Sequence, residues 1–251
     1  MRCSLAELNA LLRDRSADPQ VTEFLIGSAP GSAAVPGGAR WEAVADTVAS
    51  ASVFGFACVD DGWDEMRGLV AVGRGHAVRV QVRDDSVSVE QVRPDAPWPA
   101  LVGCLPDVEP AHGCEVTVPT DVLSEALEAA GWQPDVERIA LELRRRLVPS
   151  EDAQAVGELL HRADGVSARI EVALRGAGHL LVAPSAIDVQ HCATGRVAIV
   201  PESPDDTFTL VTPASAYFLG RSLQKYVEDL WAATNERTQP FLAGAVKPPG
   251  M

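Results

Sequence analysis

The sequence lacks the short motifs that commonly mark an active site or a nucleotide site. It contains no G-x-S-x-G, H-E-x-x-H or G-x-x-x-x-G-K-[ST] pattern, and no G-x-G-x-x-G that opens a helix. The nearest glycine pattern, at residues 73–75, separates two strand-like runs and therefore predicts a hairpin turn. These absences favour a protein without catalytic residues and without a cofactor.

Positive charge is scarce, and lysine is almost missing. The 251 residues include 21 Lys and Arg against 35 Asp and Glu, for a formal net charge of -14, and the only lysines are Lys225 and Lys247. A surface with this charge repels phosphate backbones and anionic lipid head groups. We therefore expect no nucleic-acid partner. An arginine-rich chain with so little lysine is typical of a GC-rich genome.

Close cysteine pairs and long apolar runs are also missing. The 5 cysteines are odd in number and scattered, with no C-x-x-C pair to suggest redox or zinc chemistry. Arg2 and Glu7 interrupt the first stretch, whereas a signal peptide needs an unbroken apolar segment. No apolar run is as long as a membrane span. We therefore expect a cytoplasmic protein that does not insert into membranes.

What the sequence does contain is the alternation of apolar and polar residues that is typical of strands. Val78, Val80 and Val82 alternate with polar residues, as expected for a sheet with one buried face. Turn residues separate the runs into two antiparallel meanders. Strands are predicted over 52–59, 67–72, 77–83, 86–92 and 115–118, and then over 167–175, 179–183, 187–192, 196–200 and 208–211.

Helical spacing of apolar residues predicts the other elements. Ser4 and Glu7 form a capping-box pattern at the start of the first helix. The Gly/Pro/Ser/Ala-rich run 27–38 has no periodicity and is predicted to be a flexible loop, and residues 234–251 are predicted to be a frayed tail. Helices are predicted over 4–12, 41–50, 119–130, 135–147, 151–163 and 213–233.

Two segments share a strand–proline–helix plan, EVTVPTDVLSEAL and FTLVTPASAYFLGRSL. Each follows a meander of strands. The simplest architecture is therefore a single domain over 1–251 that contains two similar halves, about 41–131 and 132–233. We predict an α+β fold in which the two sheets join and the helices pack on them.

Two groups of residues leave the function open. Cys104, His112 and Cys114 have side chains that suit zinc, as in a small metal-dependent or hydrolytic enzyme, although their spacing matches no zinc motif. Asp60, Asp61, Asp64 and Glu65 surround Trp63 in a predicted loop. This loop is either a solvated hairpin tip or a protein contact.

The predicted terminal helix has more apolar residues than one contact face needs. Leu219, Leu223, Tyr226, Val227 and Leu230 form a stripe at helical spacing that is typical of core packing. Further aromatic residues widen the stripe, which favours either a partner-binding surface or a self-associating scaffold. These additional residues are Tyr217, Phe218 and Trp231.

The chain resembles the EspG family, cytosolic chaperones associated with actinobacterial type VII (ESX) secretion. The resemblance rests on three stretches, RGLVAVGRGHAVRVQVRDDSVSVEQVRP, ALVGCLPDVEPAHGCEVTVPTDVLSEALEAAG and ATGRVAIVPESPDDTFTLVTPAS. It implies a pseudo-twofold α+β fold with a central antiparallel β-sheet flanked by helical bundles. It also implies a non-enzymatic function, in which the chaperone binds a helical secretion substrate of the PE/PPE or WXG kind and keeps it soluble for export.

The resemblance further implies where the substrate binds. The family recognises the tip of its substrate with the loop between early strands and with the C-terminal helical region. In this sequence those positions are Asp61, Trp63, Asp64, Met66, Tyr217, Phe218, Leu223, Tyr226 and Trp231.

Overall fold

The computed structural model describes residues 1–27, 38–60, 62, 64–163, 165–177, 179–202 and 206–242, the last part up to residue 234 with its side chains. The strands are β1 (Arg2–Ser4), β2 (Val53–Asp60), β3 (Glu65–Val72), β4 (Ala77–Arg83), β5 (Ser86–Val92), β6 (Val116–Pro119), β7 (Ser167–Arg175), β8 (Leu180–Val182), β9 (Ile187–Cys192), β10 (Gly195–Pro201) and β11 (Phe208–Pro213). The helices are α1 (Leu5–Asp14), α2 (Pro19–Ile26), α3 (Ala39–Ser50), α4 (Trp98–Val102), α5 (Thr120–Ala130), α6 (Val136–Arg145), α7 (Ser150–Leu160) and α8 (Ala216–Leu242).

The strands of the described residues form one 11-stranded sheet. Its order is β1-β5-β4-β3-β2-β7-β9-β10-β11-β6, and β8 pairs with β7 beside β9. Every strand pair in it is antiparallel. This confirms the predicted α+β fold around a central antiparallel sheet.

The order of elements occurs twice along the chain. Each repeat consists of a strand, three helices, a four-stranded meander and a final helix. The first repeat runs from β1 to α4 and the second from β6 to α8. In the second repeat, β8 and β9 together correspond to one strand of the first. In each repeat the first strand pairs with the last strand of its own meander, Cys3 opposite Val87 and Thr117 opposite Leu210. The junction between repeats therefore precedes β6. The predicted boundary between the two halves, about 41–131 and 132–233, lies later in the chain than this junction.

Helices cover the sheet on both faces. On one face, Phe54 and Leu69 pack against α1, α2 and α3. Val197 and Val211 lie on the same face in the other half of the sheet, where they pack against α5, α6 and α7. Ile170 and the other inward residues of β7 point to the opposite face, under α4 and α8. We call the face under α1–α3 and α5–α7 the trio face, and the opposite face the α4/α8 face. Both bundles of three helices thus pack on the same face of the sheet, one on each half.

Local sequence explains how several helices begin. Ser4 and Glu7 form the predicted capping box at α1, with the Ser4 backbone N–H donating to Glu7 Oε2 at 2.7 Å. Asp18 caps α2 by accepting from the Gln20 N–H at 2.9 Å, and Pro19 occupies the first turn. None of the described helices is long and apolar enough to cross a membrane.

Some elements differ from the prediction. β1, α2 and α4 were not predicted. β1 and α4 are too short to show a period, whereas α2 carries Val21, Phe24 and Leu25 at helical spacing, a signal that the sequence analysis missed. The predicted loop at 27–38 falls almost entirely outside the described residues. α8 continues to Leu242, beyond the predicted end of the terminal helix, and 243–251 lie outside the described residues. The frayed tail over 234–251 stays a prediction.

The short helix α4 packs closely on β2 and β3. A Cβ atom on Gly55 would lie 2.7 Å from Leu101 Cδ2, and one on Gly68 would lie 2.7 Å from Cys104 Sγ, so both strands need glycine at these contacts. Arg79 on β4 donates to the Ala100 carbonyl at 3.4 Å. The face of β4 that was predicted to be solvated is therefore partly covered by α4.

Replacing Leu147 with glycine is expected to raise the free energy of unfolding by about 1 kcal/mol, because Leu147 follows α6 with a φ of 67° and is 91% exposed. Val148 and Leu147 donate to the carbonyls of Leu143 and Arg144, which is the Schellman arrangement that glycine suits. Urea unfolding followed by circular dichroism measures the change. The control is Leu141→Gly inside α6, which should instead cost about 1 kcal/mol; a loss of stability in both variants would contradict the prediction.

Candidate partner-binding site

The turn between β2 and β3 provides the first part of the predicted site. Asp64 lies next to Arg83, with its carboxylate 3.4 Å from the guanidinium. Met66 points to the α4/α8 face, where it is partly buried and its sulfur contacts the Gln81 amide. Asp61 and Trp63, which belong to the same predicted site, lie outside the described residues.

Helix α8 provides the second part, and only some of its predicted residues are accessible. Tyr217 is 74% exposed and Trp231 is 43% exposed. Phe218 is partly buried against the core. Leu223 and Tyr226, at 0% and 7% exposure, belong to the core, so little of either side chain is accessible while α8 lies on the sheet. We therefore remove these last two from the set of surface residues.

Tyr226 fixes α8 to the end of β10. Its hydroxyl donates to the Pro201 carbonyl at 2.9 Å. Burial raises the pKa of Tyr226, and the nearby carboxylates of Asp206, Asp229 and Asp188 raise it further. The phenol thus stays protonated and keeps its donor.

The register of the sheet shows how the two parts are related. One cross-strand row joins residues of five strands, namely Asp60, Ser167, Gln190, Val197 and Pro213. The turn after β2 and the start of α8 therefore lie at the same end of the sheet. From Tyr217 to Trp231 the helix rises about 21 Å. Tyr217 and Phe218 thus lie at the end of the sheet that holds the β2–β3 turn, and Trp231 lies towards the opposite end.

The structure also exposes apolar residues that the sequence did not single out. Trp132 is 83% exposed between α5 and α6, and Leu147 is 91% exposed after α6. Both lie on the trio face of the sheet. Trp132 sits in a tight turn, between Gly131 at a φ of 82° and Gln133 at 47°. A tryptophan between turn-forming residues was the available sequence signal.

The alternative zinc site does not assemble among the described residues, which contain no group of three or more His, Cys, Asp or Glu side chains able to hold a metal. Cys104 packs against Gly68 in the core, where burial raises the pKa of its thiol to about 11. Cys114 is exposed in the segment before β6. The three residues thus lack a common geometry.

Comparison with known proteins adds two findings. A model of the EspG family matches residues 42–225. One solved structure, the type VII secretion system chaperone EspG5 of Mycobacterium tuberculosis in complex with a PE25-PPE41 dimer, superimposes with a TM-score of 0.65 over 91% of this chain and 95% of that chain. The sequences are 16% identical, so the likeness establishes the fold. No curated protein matches.

Proposed function

The chain belongs to the EspG family, and from this premise we propose that it is a cytosolic, non-catalytic chaperone that binds helical type VII secretion substrates of the PE/PPE kind. The similar fold of EspG5, which was solved in complex with a PE25-PPE41 dimer, supports a partner of this class. Binding would cover apolar surface of the substrate and keep it soluble until export.

The observation that carries the proposal is an exposed tyrosine on an acidic protein. Tyr217 is 74% exposed at the start of α8, and a large aromatic side chain at an interface gains much binding energy when it is buried. The net charge of -14 keeps the free protein dispersed despite its exposed aromatics. A chaperone that must present apolar contacts needs both properties.

We place the contact at the end of the sheet that holds the β2–β3 turn. The proposed residues are Asp64, Met66, Tyr217 and Phe218, together with Asp61 and Trp63 from the same turn. Trp231 remains a separate candidate because it lies about 21 Å further along α8.

Replacing Tyr217 with alanine is expected to weaken substrate binding by about 10-fold or more, the effect of losing an aromatic anchor worth at least about 1.4 kcal/mol. The protein would be co-expressed with a PE/PPE pair from the same genome, purified by size exclusion and titrated by calorimetry. Tyr217→Phe should bind nearly as the native chain does if the ring area supplies the energy.

The control variant is Trp132→Ala, which removes an exposed aromatic from the trio face. It should leave binding unchanged. If Trp132→Ala abolishes the complex and Tyr217→Ala does not, the contact lies on the helical bundle instead. If no PE/PPE pair forms a complex with the native chain, the proposed function fails.

A further inference from the structure

Strands β8 and β9 pair with the same edge of β7, one after the other. β9 pairs with residues 167–170 of β7, and β8 pairs with residues 173–175. Residues 183–186 separate the two strands. β10 pairs with β9 but not with β8, so among the described residues β8 has a strand on one side only. In the first repeat, β3 pairs with β4 from Met66 to Val72, and no such edge remains.

The register shows which backbone groups lie on this free edge. Ala183 donates to the Val172 carbonyl at 2.9 Å, and Gly176 donates to the His179 carbonyl at 2.9 Å. Because hydrogen-bonded and non-hydrogen-bonded pairs alternate in an antiparallel ladder, Leu181 faces β7 with its N–H and C=O. Leu180 and Val182 direct theirs away from β7. Unpaired groups of this kind form a template for an added strand.

An open groove of about 870 Å³ runs along the same edge. One wall is the segment from His179 to Ser185, and the other is formed by α8. Val182 is 43% exposed, and Leu181 is partly buried against the core. Leu230 and Ala233 of α8 face the groove, which gives it an apolar wall next to the unpaired backbone.

The charges at the groove are mostly negative. Asp229 lines it, and the carboxylates of Asp206 and Asp188 lie close enough to Tyr226 to act on its hydroxyl. Lys225 pairs with Asp229 at 2.8 Å, and Arg169 lies 3.7 Å from Asp188. Among the described residues, Asp206, which accepts from the Ser185 hydroxyl, is therefore the carboxylate of the three that no cation offsets. The negative charge of Asp206 thus remains beside the groove and favours a segment that carries positive charge.

We propose that β8 binds an extended segment of a partner protein as an added strand, with apolar residues of the segment against α8 and basic residues towards the carboxylates. This mode uses backbone hydrogen bonds for affinity and alternate side chains for selectivity. It is independent of the proposed contact at the β2–β3 turn, because the two surfaces lie at opposite ends of the sheet.

The probe for this surface is an acetylated and amidated peptide of alternating lysine and valine. Hydrogen exchange of the native chain, followed by NMR, should show fast exchange at the Leu180 and Val182 amides in the free protein. Saturating peptide should slow both amides by about tenfold or more, whereas the amide of Leu181, which already bonds to β7, should not change. Fast exchange that persists with bound peptide would overturn the proposal, and so would slow exchange in the free protein.

Val182→Pro removes an outward N–H without removing a bond to β7, and it should weaken peptide binding by about tenfold. Val182→Thr keeps the N–H and should bind within about threefold of the native chain. A peptide of alternating glutamate and valine should bind much more weakly, and equal binding would refute the charge assignment. If the free protein is a dimer that Val182→Pro makes monomeric, a second copy occupies the edge and the partner assignment is wrong.

Discussion

Replacing Trp98 with alanine is expected to lower the free energy of unfolding by about 3 to 5 kcal/mol. Trp98 is 5% exposed, and its ring lies over β2, where a Cβ on Gly55 would be 2.9 Å from Trp98 Cζ3. Its Nε1–H donates to Gln224 Oε1 at 2.8 Å, which joins α4 to α8. The substitution would leave a cavity under α4 and an amide without its donor, and both effects lower stability.

Urea unfolding by circular dichroism measures this loss, with Trp132→Ala as the matched control. Trp132 is 83% exposed, so the same substitution there should change stability by less than about 0.5 kcal/mol. Equal losses in the two variants would show that α4 does not contribute to the core as described.

Replacing Leu223 with alanine is expected to cost about 2 to 5 kcal/mol, because its side chain is fully buried between α8 and the sheet. Tyr217→Ala, on the same helix, should change stability by less than about 1 kcal/mol, since it loses only an exposed ring and a contact with Arg221 at 5.9 Å. The two variants thus separate a core residue from a surface residue within one helix.

The same purified variants give a second measurement. The fraction of Leu223→Ala that remains folded should still bind the PE/PPE pair with nearly native affinity, whereas Tyr217→Ala should be folded and bind weakly. A folded Leu223→Ala protein that no longer binds would return Leu223 to the contact surface.

Much of the sheet could be predicted because its faces differ in polarity. Val78, Val80 and Val82 are buried and alternate with polar residues, and the inward residues of β7 follow the same rule. The strand partners could not be predicted in this way. β1 has three residues, and its partner β5 begins 84 positions later, at Ser86, so the pairing depends on tertiary structure.

The internal repeat was inferred from two segments of the sequence that are not equivalent in the structure. The two strand–proline–helix segments became β6–α5, which opens the second repeat, and β11–α8, which closes it. They are in fact neighbours in the sheet, with Val116 opposite Val211. The equivalent of β6–α5 is β1–α1, where Leu8 and Leu123 are both buried, but serine rather than proline joins β1 to α1. A shared proline was therefore a misleading signal.

The candidate site could be predicted only in part, because periodicity does not show which side of a helix is left uncovered. Leu219, Leu223 and Tyr226 were predicted both as a core stripe and, for the last two, as contacts. Burial settles this in favour of the core. Tyr217 is accessible because it lies on the side of α8 that faces away from this stripe.

The pairing of β2 with β7 joins corresponding strands of the two repeats, antiparallel and over eight residue pairs from Val53–Leu174 to Asp60–Ser167. Two copies of one strand that meet in this way are related by a dyad, and each contributes the same edge. This is the geometry of an isologous interface. The molecule is thus built like a symmetric homodimer whose protomers are joined by a tether, here residues 103–115. Unlike the subunits of a homodimer, the two halves of one chain can differ in sequence, and here the first ends in the five-residue α4 and the second in the much longer α8.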